Sequence, residues 1–269
     1  MLGTTPLYFT KKIKMKYTIW VLWTTALVFS TNTEAQEIDF SKLKSIEHKL
    51  DDVMEIIDTV VLKVKLKEVE LDFKENRSEL NKLRLAIIYH ETALNLGLIT
   101  KSNFQGYAKK SYEILSELNV TPTPTKELLP FITSYRASAI SLMAAETKKI
   151  GLIHDAFKLF EQSIERYGKF SYSPEFLRGS VSENLPWIFF SKKRFAKIDM
   201  QSILDKQTLN EGYANGKIMS YVYWAWANKR RSKKFRAQAL EHLDRALALD
   251  PNFTAGGRKA QKLKAELLN

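Results

Sequence analysis

Hydrophobic positions along the chain repeat one helical spacing: a small residue, a large apolar residue four positions on, and a small or apolar residue three beyond that. It occurs at Ala108–Tyr112–Leu115, Ala156–Phe160–Ser163, Ala196–Met200–Ile203 and Ala239–Leu243–Ala246, the last followed by Pro251. Offsets of three and four place side chains on one face of an α-helix. Each triplet therefore predicts the packing face of the second helix in a helical hairpin. The fold class expected is all-α, a right-handed superhelix of stacked helical hairpins.

Between the triplets the chain supplies starts and stops. Leu43, Ile46, Leu50, Val53, Ile57, Val60 and Val64 form one stripe at alternating spacings of three and four, which predicts a single amphipathic helix. From residue 60 to 73 apolar and charged residues alternate, and helix and strand both fit. A helix is expected from about Ser78 to Gly97, with a partner from Asn103 to Leu118. Residues 119–125, with prolines between threonines, read as a linker. Pro130 opens a helix to Lys149, and Gly151 turns it into a partner at 153–167. Ser173-Pro174-Glu175 has proline in a first helical turn, and Pro186 stops that helix. The third triplet lies on 194–206. Helices at 217–228, 236–248 and 257–268 complete the chain. The hairpins fall at about 78–118, 130–168, 174–206 and 217–250.

The N-terminus changes the picture of where the protein works. Lys11, Lys12, Lys14 and Lys16 precede an apolar run from Tyr17 to Phe29 and a polar stretch ending Glu34-Ala35. These are the three regions of a signal peptide, so residues 1–35 are read as a cleaved leader, with Met1 or Met15 as the start. The run is shorter than the ~20 residues needed to span a bilayer. No later stretch is read as a membrane span. Residues 36–77 are an N-terminal amphipathic segment and 78–269 a helical repeat domain. The expected location is exported, periplasmic or secreted, in a bacterial cell. The chain has no cysteine, which excludes disulfides, thiolate metal sites and lipidation of the new N-terminus. Removing the leader's four lysines and Glu34 lowers the formal charge from +12 to +9. That excess favours anionic partners, but the cations are interspersed with acids and no nucleic-acid module is present. Nucleic acid is therefore not expected as a partner.

Two units carry a fuller pattern. Tyr223–Trp226–Ala227 precedes Ala239–Leu243–Ala246–Pro251, and Ile140–Met143–Ala144 precedes Gly151 and Ala156–Phe160–Ser163, with Gly168 in the place of the proline. Together these resemble the tetratricopeptide repeat, a two-helix unit of about 34 residues. The matching alanines here are 48, 40 and 43 residues apart, so the resemblance implies an irregular stack. It implies a fold that binds proteins or peptides. A fainter likeness, to the helical accessory lipoproteins of tripartite periplasmic transporters, lacks the lipidated cysteine.

Chemistry is harder to find. His48, His90, His154 and His242 have no second histidine three or four residues away. His90-Glu91 begins like a zinc-peptidase helix, but Leu94 stands where the second ligand belongs. The run from Gly212 to Lys217 falls short of a phosphate loop, with Ile218 in place of a hydroxyl residue, and Gly179-Ser180 lacks the second glycine of a nucleophile elbow. Glu175 and Glu183 would be solvated carboxylates about two turns apart. No catalytic residue, cofactor or metal site is expected.

A binding face is the better candidate. Tyr221, Trp224, Asn228 and Arg231 share a face opposite the hairpin packing face, and combine apolar area with amide and guanidinium donors. The resemblance implies that Asn228 matches a position that contacts peptide backbone. The preceding hairpin offers Ser138, Ser141, Ala145, Lys148 and Lys149. A second patch, Trp187, Phe189 and Phe190, is either core beneath a loop or an interaction loop. The expected function is a non-enzymatic adaptor that holds a protein or peptide in the cell envelope. The alternative is an accessory that holds a small anionic solute for a transporter or polysaccharide system. Oligomeric state is left open.

Overall fold

In a computed structural model the described residues, 38–99, 106–253 and 255–269, form α-helices and short helical turns, with no strand among them. They belong to one unit, Glu37–Asn269. The leader expected at 1–35 lies outside the described residues. The helices are α1 (Phe40–Leu50), α2 (Thr59–Glu75), α3 (Glu79–Leu94), α4 (Tyr107–Asn119), α5 (Leu129–Thr147), α6 (Gly151–Tyr167), α7 (Ser173–Asn184), α8 (Phe190–Leu209), α9 (Gly216–Asn228), α10 (Arg236–Leu249) and α11 (Gly257–Leu268).

Local chemistry explains their starts. Four helices open on a side-chain oxygen that accepts from the otherwise orphaned first-turn N–H groups. Asp39 accepts from Lys42 at 3.0 Å, Asp58 from Val60 and Val61 at 2.8 and 3.0 Å, Ser78 from Asn81 at 3.2 Å, and Asn215 from Ile218 at 2.9 Å. Pro130 and Pro174 lie in the first turns of α5 and α7, where the missing N–H costs nothing.

Packing follows chain order. α3 packs on α4, α5 on α6, α7 on α8 and α9 on α10, and each second helix also packs on the next first helix. The odd-numbered helices touch one another as well, α3 to α5, α5 to α7, α7 to α9 and α9 to α11. The triplet residues make these contacts: all are buried except half-buried Tyr112. Phe131, Tyr135, Phe160, Tyr172 and Phe176 fill the main core with no solvent contact.

Two sequence expectations change. The stripe from Leu43 to Val64 is two helices: α1 ends at Leu50, and Asp58 caps a new helix whose Val60 and Val64 face solvent. The ambiguous stretch 60–73 is helical throughout, inside α2. One stretch beyond the leader, Lys126–Thr147, is long and apolar enough by composition to cross a membrane, with a mean hydropathy of 1.2. Most of it, 72%, is buried inside the fold, as befits the central core helix that α5 forms.

Buried polar pairs lock the hairpins. Arg178 on α7 grips Asp199 on α8 through two hydrogen bonds, Nε to Oδ2 at 2.9 Å and Nη2 to Oδ1 at 2.6 Å, with its guanidinium over Phe195 at 4.1 Å. Burial nevertheless pushes Asp199 up to about 6. At the C-terminal end Asp250 Oδ2 accepts from the N–H groups of Ala255 and Gly257, both at 2.8 Å, and turns the chain into α11. There Gly256 lies against the α9 backbone, and a Cβ on it would come within 2.5 Å of the Ser220 carbonyl carbon. Backbone cannot yield as a flexible side chain does. Gly256→Ala is expected to destabilise the fold by about 1–3 kcal/mol, about 2–4 °C of Tm for each kcal/mol lost in a chain of this size. Gly151→Ala, where a Cβ meets nothing within 4 Å, should leave the thermal midpoint near that of the native protein.

Candidate functional site

The face built by α3, α5, α7 and α9 is covered by the chain's own N-terminal segment, residues 38–58. Leu43, Leu50, Val53 and Met54 of this segment are fully buried. Residues 51–58 form no regular structure, so their carbonyls need partners from elsewhere. Side chains of the helical face supply several. Arg84 on α3 donates to the Lys49 carbonyl and clasps Asp52 with both terminal nitrogens, at 2.5 and 2.8 Å. Asn95 Nδ2 donates to the Ile56 carbonyl at 2.9 Å. From α9, Lys217 Nζ reaches the carbonyls of Asp51, at 3.3 Å, and Met54, while Asn215 Nδ2 donates to Asp51 Oδ1 at 2.7 Å. In the reverse sense, Lys44 of α1 donates to the Tyr213 carbonyl at 2.6 Å.

At the centre of this contact is Glu55. Its φ of +53° is left-handed, a conformation that costs a non-glycine residue free energy and persists only where the surroundings impose it. Glu55 is half-buried as a residue, with protein crowded around its carboxyl. Burial raises its pKa, Glu91 adds to the rise, and Lys217 and Lys259 oppose it. Around it stand Tyr135 and Tyr172, fully buried, whose hydroxyls have no protein hydrogen-bond partner. Glu47 of α1, also buried, is pushed up to about 7 by burial despite its 2.7 Å ion pair with Lys44.

Beneath lies a chain with the order of a catalytic triad. Ser138 Oγ is 2.7 Å from His90 Nε2, and His90 Nδ1 is 3.1 Å from Glu91 Oε1. The geometry matches a nucleophile, a base and an orienting carboxyl, but the setting does not suit acyl transfer. Ser138 is in mid-α5, where the neighbouring N–H groups are committed to the helix and are not free to bind an oxyanion. All three side chains are almost wholly buried. The chain fastens α3 to α5 at a polar point in the core.

The residues singled out from the sequence separate into groups. Tyr221 is buried edge-on between Phe176, at 5.3 Å, and half-buried Trp224, at 5.1 Å, and Lys259 of α11 lies over both rings at 4.9 and 4.5 Å. Asn228 donates to Glu183 Oε1 at 2.9 Å and accepts from Arg231, which pairs with Glu266 at 3.0 Å. These four are thus brought together with α7 and α11. Lys148 and Lys149 are exposed at the α5–α6 turn, Lys148 with a φ of +59°. Glu175 and Glu183 do not act as a pair: Glu175 accepts from Ser202 and Lys206, both at 2.8 Å, while Glu183 serves Asn228 and Lys229. Among the described residues no group of three His, Asp or Glu side chains is arranged to hold a metal ion.

Sequence reasoning missed Arg84, Asn95 and Glu55. Lys217 was weighed only as a phosphate-loop lysine. Their signal is a contact across more than thirty residues of chain, which no local spacing carries. A surface cavity of about 440 Å³ lies elsewhere, between α4, α5 and α6, lined by Tyr112, Met143, Asp155 and Lys158 among others. The chain matches no family model, no curated protein and no solved structure.

The raised carboxyls give the covered face a pH dependence. Glu47 and Glu55 hold protons more tightly when the segment is docked than when it is free, so docking is favoured below their ordinary pKa near 4.5 and weakens as pH rises through about 7. The depressed carboxyls Asp52, Asp58 and Glu127 act in the opposite sense, and only at or below the usual carboxylate range. Amide hydrogen exchange in residues 38–58, corrected for intrinsic rates, should show less protection at pH 8.5 than at pH 5.5. Glu47→Gln should flatten that dependence.

Proposed function

We propose that the protein is a non-enzymatic, tetratricopeptide-like binding protein of the cell envelope whose helical face grips a peptide by its main chain, with residues 38–58 holding the place of that peptide within the chain. The stacked-hairpin reading is supported by the pairing of α3–α4, α5–α6, α7–α8 and α9–α10 and by the continuous contact among odd-numbered helices. The observation that carries the functional reading is the set of side chains aimed at backbone carbonyls. Arg84, Asn95 and Lys217 hold residues 49, 51, 54 and 56 by their main chain. Donors that read main chain accept many sequences, while side-chain pockets such as those of Val53 and Met54 select among them. A partner would displace the segment, or bind beside it where Trp224, Asn228 and Lys259 border Glu183. The solute-holding alternative draws no comparable support, since the cavity between α4, α5 and α6 contains none of these residues.

The probe is a fluorescein-labelled peptide with the sequence of residues 38–58. In the full chain carrying Val53→Asp and Met54→Asp, checked for retained helicity by circular dichroism, the peptide should bind with micromolar affinity by anisotropy. The native chain should bind it at least tenfold more weakly, because the intramolecular segment competes at high effective concentration. Adding Asn95→Ala and Lys217→Ala should abolish binding. A folded double-aspartate variant that ignores the peptide would remove the basis for this reading.

A further inference from the structure

The turns α5–α6 and α7–α8 lie side by side at one end of the two middle hairpins, because a small separate apolar cluster joins them: Ala144 of α5 and Ile153 and Phe157 of α6 pack with Leu185, Phe189 and Phe195. Outside this cluster, four large apolar side chains remain in solvent. Trp187 is 80% exposed, Phe190 77%, Ile150 61% and Ile188 50%. The aromatic run after Pro186 is thus only partly core: Phe189 turns inward, while its neighbours on either side point out.

The same end is cationic. Residues 147–154 and 186–198 contain no acid. They carry Lys148, Lys149, Lys192, Arg194 and Lys197, together with Lys193, whose amine is spent on the Leu185 carbonyl at 2.6 Å. The flanking acids are mostly engaged elsewhere: Glu146 accepts from Gly106 N–H at 3.3 Å, Glu183 pairs with Lys229, Asp199 with Arg178. The Lys192 ammonium lies over the Phe157 and Phe195 rings at 5.1 and 5.9 Å, so cation and aromatic surface adjoin here.

We infer that this end is a docking surface for an anionic lipid bilayer. Trp187 and Phe190 have the amphipathic and aromatic character favoured at a membrane interface, and Ile150 and Ile188 add aliphatic area to enter the acyl boundary. Lysine and arginine beside them match a negatively charged leaflet. Charge rules against a second copy as the occupant, since self-association would set two cationic ends face to face. Single-stranded nucleic acid could stack on Trp187 and Phe190 but would leave Ile150 and Ile188 in solvent, whereas an acyl boundary takes up all four side chains. This inference is independent of the peptide-binding reading, which concerns the face under residues 38–58.

Because the native chain has no cysteine, one environment-sensitive label can be placed at will. The full chain carrying Ile188→Cys is labelled with a nitrobenzoxadiazole fluorophore and mixed with vesicles of phosphatidylcholine containing 30% phosphatidylglycerol. A chain labelled through Val120→Cys, on an exposed side chain outside this end, is the control and shares any binding due to residues 1–36. The expected result is a blue shift at position 188 alone, absent with pure phosphatidylcholine and reversed by salt at about 0.5 M, where screening lengths shrink to a few ångströms. Lys148→Gln, Lys149→Gln, Arg194→Gln and Lys197→Gln together should weaken the lipid response at least tenfold. No shift at 188, an equal shift at both positions, a shift on raising protein concentration without vesicles, or the same shift with single-stranded RNA would overturn the inference.

Discussion

Everything at the centre of this structure depends on a stretch of irregular backbone being made soluble inside the protein. Residues 51–58 bury Val53, Met54 and Ile56, and an irregular segment that does so must find partners for its carbonyls or forfeit about 1–3 kcal/mol for each one left unmet. It finds them on helices distant in sequence: Arg84 and Asn95 from the first hairpin, Lys217 from the last. The two ends of the stack are therefore tied through one short segment. The strain at Glu55 is the local cost of that fit, borne because the flanking residues on both sides are fixed by burial and hydrogen bonding.

The helices themselves were largely legible. Small-large spacing, prolines in the first turns of α5 and α7 and the Ser78 and Asn215 caps of α3 and α9 mark much of α3 to α11 in the sequence, because helix formation and capping are decided within a few residues. The division of the stripe between Leu43 and Val64 was not. Its spacings of three and four continue without interruption through the break, and no glycine or proline marks it. Asp58 is the one local sign, and it acts as a cap only because Arg84, Asn95 and Lys217 hold the preceding residues out of the helix. Tertiary contact overrides a local preference here, since the helix would leave Val53 and Met54 without their buried sites.

The candidate face read from spacing and the grip seen in the fold involve different residues. Tyr221, Trp224 and Asn228 of α9 and Arg231 just beyond it were singled out for their chemistry, yet Tyr221 is buried and Trp224 half-buried against α7 and α11. The side chains that grip the irregular segment come from the beginning of that helix and from α3. Nothing in the spacing around Asn95 distinguishes it from any asparagine near a helix end. Its role is visible only once the Ile56 carbonyl is beside it.

Charge repeats this lesson on the surface. Composition gives an excess of cations but not their arrangement, and the fold sorts them. Acids are drawn to basic partners in and around the core, Glu47 to Lys44, Asp52 to Arg84, Glu175 to Lys206, Glu183 to Lys229 and Asp199 to Arg178. Each pairing removes an acid from the surface balance together with one cation, and the remainder collects where acids are missing from the chain. Lys148, Lys149, Lys192, Arg194 and Lys197 take part in no ion pair among the described residues. They gather at the end where aromatic and aliphatic side chains are also left uncovered. Either feature alone is commonplace on a protein surface. Their coincidence at two turns fastened by a shared apolar cluster requires the fold to have brought 148–150 and 187–197 together, and this makes that end a surface distinct from the face that residues 38–58 cover.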